Sequence, residues 1–175
     1  MDSRSPQSDQ VRDALSWRDE IVTWVLRLYC LVGLPTVIWF EFLVFERGAW
    51  LVAAAIAALQ GLVTWAAFLP GLSFPNRARI LLWFLYLSGA LGLASIGPLA
   101  GGNVLLFAFV VVSAMVNGRR GAIQGSLLAA ATVIVTGALH IGGWITAVET
   151  RPITAPAPWI TSFALLVVLS SSVAA

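Results

Sequence analysis

The chain carries one histidine, His140, one cysteine, Cys30, and eight acids, of which only Glu41, Glu46 and Glu149 lie beyond residue 20. An imidazole titrates near neutrality. Paired with a carboxylate between two helices, His140 and Glu41 could hold a ligand, sense pH or, together with Asn103, bind a metal. Glu46 follows shortly after Glu41 and belongs to the same candidate cluster. The alternative is that Glu41 and His140 reach water or lipid head groups and make ordinary hydrogen bonds there. Little else is equipped for chemistry. All ten basic residues are Arg, so no Gly-rich loop can present a phosphate-binding Lys, and no nucleophile stands at motif spacing from a base. Cys30 sits in an apolar run with no second thiol, which makes it a small hydrophobe and leaves no disulfide or thiolate metal site. Catalysis by this stretch itself, a cofactor and a dedicated metal site are not expected.

Those candidate residues must be positioned by elements that live in lipid. With 59% hydrophobic and 10% charged residues and a mean hydropathy of +0.92, the chain is far from the soluble norm of roughly a quarter charged. A membrane-spanning helix needs about 20 apolar residues, so the 175 residues hold six with short connections. The apolar runs predict spans at about 21–45, 49–69, 79–99, 103–116, 122–144 and 158–175. The fold class expected is all-α: a polytopic membrane protein with six transmembrane helices. Residues 1–20 form a polar N-terminal segment with five of the eight acids and no signal-peptide pattern.

Arg distribution sets the expected orientation. With the N-terminus cytoplasmic, Arg4, Arg12, Arg18, Arg77, Arg79, Arg119 and Arg120 fall inside and only Arg47 and Arg151 outside. Both ends of the chain then face the cytosol. Arg27 can snorkel from the first span to the inner head groups. The Trp residues agree with this arrangement, since indole prefers the interface. Trp17, Trp24, Trp65 and Trp83 fall near inner ends, and Trp39, Trp50, Trp144 and Trp159 near outer ends. Glu41, Glu46, Asn103 and His140 then share the outer face. The dispersed Arg residues form no basic stripe, so nucleic acid is not an expected partner.

Helices in lipid associate through small residues. Ala53, Ala57 and Gly61 make one ladder, Gly121, Gly125 and Ala129 a second, and Ser88 and Gly92 a shorter third. They are expected to pack the helices together, with dimerisation as a further possibility. The last span is short: Trp159 to Ala175 makes about 25 Å of helix against a hydrocarbon core of about 30 Å. No Arg follows it. The expectation is that the chain continues past Ala175 into a cytoplasmic signalling domain.

The run from Arg79 to Trp144, with its "YLSGALGL" segment, Gly-rich turn, "NGRRGA" connection and small-residue helix ending in Gly-Trp, resembles the N-terminal membrane-sensor regions of bacterial multi-span histidine kinases and related diguanylate cyclases. The resemblance implies a six-helix input module of the inner membrane. It would act as a homodimer in the lipid bilayer and signal through its sixth helix to a cytoplasmic domain in cis. A different class is the substrate-binding membrane subunit of a vitamin-type transporter, similar in length and in "NGRRGAIQGSL". The first helix here, "IVTWVLRLYCLVGLPTVIWFEF", lacks the Ala ladder by which those subunits dock their partner. A structural membrane protein without a ligand is the third reading.

Overall fold

The computed structural model describes residues 20–31, 34, 35, 38, 42, 45, 50–69, 71–98, 101–145 and 156–174, with side chains up to Val167 in the last helix. Among them every regular element is helical, and the protein is all-α. We label the helical stretch 20–31 α1, followed by α2 (Trp50–Phe68), α3 (Phe74–Ile96), α4 (Gly102–Ile141) and α5 (Pro156–Ala174). α2, α3 and α4 are each long and apolar enough to cross a membrane.

α3 starts five residues before the apolar run that marks it, because local chemistry begins it sooner than hydropathy does. Ser73 is extended (φ −67°, ψ 148°) and Pro75 lies in the first turn, where its missing N–H is harmless. The Ser73 carbonyl accepts the N–H groups of Asn76 and Arg77 at 3.0 and 3.1 Å. The helix stops at Gly97, whose φ of 92° favours glycine and whose N–H donates to the Leu93 carbonyl. Pro98 then prevents continuation.

α4 is 40 residues long, about 60 Å if straight, twice the thickness of a bilayer core. It is not straight. Gly118 (φ 64°, ψ −154°) breaks it, and the two halves fold back on each other. A Cβ on Gly125 would lie 3.5 Å from the Val110 Cα, and the Ser113 hydroxyl donates to the Gly121 carbonyl at 2.9 Å. The expected connection around Asn117–Gly121 is thus a single non-helical residue. The second half ends at Ile141, and Gly143 (φ 72°) turns the chain just beyond it: the Gly143 N–H donates to the His140 carbonyl and the Trp144 N–H to the Leu139 carbonyl, which satisfies two terminal acceptors.

The two halves of α4 pack on α3, the first antiparallel and the second parallel to it. Tyr86 on α3 meets Phe109 (centroids 5.4 Å apart) and Thr132 (hydroxyls 3.1 Å apart), one from each half. α2 also packs on α3, and α5 on α4. Leu26, Val63, Leu81, Leu93, Leu106, Val110 and Val133 are fully buried between them. Large apolar side chains also cover the outside, among them Leu31, Leu51, Phe68, Val104, Leu127, Ile134 and Ile160. An apolar exterior of this kind suits lipid as the surrounding solvent. The exposed Trp24, Trp50, Trp65, Trp83 and Trp144 belong to it, whereas Trp159 is buried inside the bundle.

Polarity divides the bundle along its length. Arg77 and Arg79 open α3, and Arg79 lines one groove with Ser113 and Gln124, which flank the Gly118 break followed by Arg119 and Arg120. Four Arg residues therefore collect at one end. Asn103 and His140 lie at the other, against the last turn of α3.

Candidate functional site

The last turn of α3 leaves the Ala94 carbonyl without a backbone partner, because residue 98 is a proline, whereas the Leu93 carbonyl already accepts the Gly97 N–H. His140, in the last turn of α4, supplies Ala94 with one. Its Nε2 lies 3.2 Å from the Leu93 oxygen and 3.1 Å from the Ala94 oxygen. Both neighbours are acceptors, so Nε2 carries the proton and donates. The ring is 4% exposed, and its face stacks on Trp159 of α5 with centroids 5.2 Å apart and planes 27° from parallel. One imidazole therefore ties together α3, α4 and α5. It is bound to protein on an edge and on a face.

Glycines create the closeness that this requires. A Cβ on Gly137 would stand 3.1 Å from Trp159 Cε3, so the bare backbone of α4 is the seat of the indole. At the same end, α3 and α4 cross at Gly89, Gly92 and Gly102. A Cβ on Gly89 would meet Leu106 Cγ at 2.9 Å and the Gly102 oxygen at 3.0 Å, and one on Gly92 would lie 3.3 Å from the Gly102 Cα. Asn103, at the start of α4, donates from Nδ2 to the Pro98 carbonyl at 3.0 Å and closes the turn between the helices. Its Oδ1 is buried with no hydrogen-bond partner among the described residues.

Of the four candidate ligand residues, the structure brings Asn103 and His140 to the same end of α3; Glu41 and Glu46 lie outside the described residues. Of the small-residue ladders, Gly121, Gly125 and Ala129 are buried, with Gly121 and Gly125 facing Ser113 in the other half of α4. In the third ladder, Gly92 reaches Gly102 and Ser88 is half-buried, while Gly89 beside it makes a closer approach than Gly92 does. The first ladder faces outward: Ala53 is half-buried, Ala57 and Gly61 are exposed, and a Cβ on Gly61 would meet nothing within 4 Å. Gly89, Gly102, Gly137 and Trp159 carry the geometry without having been singled out for it. The one available signal was the Gly-x-x-Gly spacing of Gly89 and Gly92 next to the pair Gly101–Gly102.

A second polar cluster joins α1 to α2 in the interior. The Tyr29 hydroxyl donates to Gln60 Oε1 at 3.1 Å, Cys30 Sγ lies 3.8 Å from Thr64 Oγ1, and the Tyr29 ring meets Phe84 edge-on at 4.6 Å. Gln60 Nε2 is buried and has no hydrogen-bond partner among the described residues. At the Arg end, Arg77 donates from Nη1 to Thr23 Oγ1 at 3.0 Å and from Nη2 to the Leu69 carbonyl at 3.2 Å, which fastens α1 and the end of α2 to α3. Among the described residues no three His, Cys, Asp or Glu side chains come together as metal ligands. A bond made or broken at His140 acts on three helices at once.

The MASE11 family model matches residues 16–174, nearly the whole chain. No curated protein and no solved structure matches it.

Proposed function

The chain belongs to the MASE11 family, and since MASE domains are membrane-associated sensory domains of signalling proteins, we propose that it is the input module of a bacterial signal-transduction protein of the histidine kinase or diguanylate cyclase type. In this reading it crosses the inner membrane six times, as α1, α2, α3, the two halves of α4, and α5, with both ends in the cytosol. The gathering of Arg77, Arg79, Arg119 and Arg120 at one end of the bundle supports that orientation, because cytoplasmic ends are the Arg-rich ones. The module has no catalysis of its own and works as a homodimer that drives a cytoplasmic domain in cis. Family membership favours this over a transporter subunit.

The observation that carries the proposal is the contact of His140 with Trp159. α5 leads toward the Arg end, and its first turns are held by an imidazole that also grips the end of α3. A stimulus that shifts α3 against α4 at the outer end would move Trp159 and so α5, between two packings that differ by a few kcal/mol. The test uses the full-length signalling protein in membranes. Trp159→Leu should change basal output or the response range, while Tyr29→Phe, at an interior contact away from α5, should leave both unchanged. Wild-type output from Trp159→Leu would refute the relay. Labelling of single cysteines placed at Arg120 and Trp144 tests the orientation: the first should react only from the cytosolic side, the second only from outside.

A further inference from the structure

Between α3 and the fold-back of α4 lies a groove of about 250 Å³. Arg79, Leu82, Trp83 and Tyr86 form one wall, a single face of α3 at the spacing i, i+3, i+4, i+7; Phe109 and Ser113 line it from the first half of α4, and Gln124 and Leu128 from the second. The groove is graded. Arg79 and Gln124 stand at the Arg end, both exposed, while Tyr86, Phe109 and Leu128 lie farther in. Its inner polar groups are already satisfied. Thr132 Oγ1 donates to the Leu128 carbonyl at 2.9 Å, so the Tyr86 hydroxyl is the donor to Thr132, and Ser113 donates to Gly121. Arg79 has no ion pair or hydrogen bond among the described residues.

We propose that this groove binds an anionic phospholipid of the cytoplasmic leaflet, with the phosphate on the Arg79 guanidinium and one acyl chain laid between Trp83, Tyr86, Phe109 and Leu128. Charge is the first reason. From Arg47 to Val148 the chain contains no Asp or Glu, so α2, α3 and α4 offer no acid to Arg79, Arg119 or Arg120, and Glu20, which opens α1, makes no ion pair with them among the described residues. An anion supplied by the membrane meets that need, and basic pockets between transmembrane helices take anionic head groups. Access is the second. Trp83 and Leu128 are exposed, so the groove opens sideways onto the apolar exterior, where a lipid enters without leaving the bilayer. Size is the third. The space is below the roughly 300–1,000 Å³ of pockets that enclose a whole small ligand, which suits the glycerol region and the start of one chain. The reading rests on the membrane location of the chain and is independent of the relay through Trp159.

The experiment measures retention of phosphatidylglycerol against phosphatidylcholine by the full-length protein in nanodiscs or by native mass spectrometry. Wild type should prefer phosphatidylglycerol. Arg79→Gln should lower that preference about five-fold, the equivalent of one basic residue at a lipid surface, and Leu128→Trp should lower it by filling the groove with the charge intact. Arg120→Gln, outside the lining, should have little effect. Equal loss from Arg120→Gln and Arg79→Gln, or an unchanged preference in both groove variants, would overturn the site. Glycerol phosphate or palmitate competing as strongly as phosphatidylglycerol would also overturn it, in favour of a water-borne anion or a fatty acid. A circular dichroism melt of each variant separates lost binding from lost folding.

Discussion

His140 lies ring on ring with Trp159, 5.2 Å between centroids, while its Nε2 donates to the carbonyls of Leu93 and Ala94. The two contacts can be separated by substitution. His140→Phe keeps an aromatic face for the indole and removes the donor, which leaves the Ala94 oxygen without its partner from α4. A buried acceptor deprived of its donor costs about 1–3 kcal/mol. His140→Ala also loses the stacking. We therefore expect thermal stability in detergent to fall in the order wild type, His140→Phe, His140→Ala. A His140→Phe midpoint equal to wild type would show that the hydrogen bonds to α3 contribute nothing net.

Two glycines make opposite predictions. A methyl group at Gly89 would press on Leu106 Cγ and the Gly102 oxygen, whereas one at Gly61 would project into open space. Gly89→Ala should push α3 away from α4 and cost about 1–3 kcal/mol, as overpacking does. Gly61→Ala should leave the midpoint unchanged or slightly raised, since Ala is the better helix former. Melting curves of the two variants under identical conditions decide it. A Gly61→Ala loss as large as that of Gly89→Ala would mean that the outward face of α2 is covered, as in a dimer packed on Ala53, Ala57 and Gly61.

The interior pair of Tyr29 and Gln60 is suited to a double-mutant cycle. Tyr29→Phe strands Gln60 Oε1 beside an Nε2 that already has no partner among the described residues. Gln60→Leu removes both polar atoms at once. Each single change should destabilise, since Gln60→Leu in turn leaves the Tyr29 hydroxyl without its acceptor, and the double variant should lose less than the two together, because replacing both partners by apolar groups of similar shape costs little. Coupling between hydrogen-bonded side chains in membrane proteins averages about 0.6 kcal/mol, and a value of that order is expected here. A double variant whose loss equals the sum of the two single losses would show that the bond contributes nothing net.

The residues that hydropathy could read were those whose environment is lipid. Trp50–Phe68 emerges almost where the apolar run places it, because helix and bilayer impose the same limits on it. Rotation about the helix axis was not legible in the same way. Ser88, Gly89, Ala90, Gly92 and Ala94 crowd every side of α3 with small residues, so the contact face is ambiguous by one position, about 100° of turn. The partners of His140 were hidden for another reason. They are backbone carbonyls, which carry no side-chain signature, and their availability depends on α3 ending at Gly97. Trp159 has the composition of an interface anchor, and only the empty space over Gly137 draws it inward.

The fold-back of α4 depends on the backbone of one residue. Gly118 has φ 64° and ψ −154°, and a Cβ there would touch nothing within 4 Å, so any cost of substitution is conformational and not steric against neighbours. That region is accessible essentially only to glycine, at about 1–3 kcal/mol for other residues. Gly118→Ala should therefore lower the midpoint by that amount while the Gly89 and Gly137 contacts stay intact. Asn is no remedy, although it tolerates positive φ better than most residues, because the left-handed helical conformation it adopts has ψ near +47°. Gly118→Asn should thus resemble Gly118→Ala. In a Cys30→Ser background, a cysteine pair at positions 110 and 125 should cross-link in the wild-type hairpin and more slowly in either variant. Full stability and undiminished cross-linking in Gly118→Asn would mean that the reversal is held by Ser113 and Gly121, and that the glycine merely permits it.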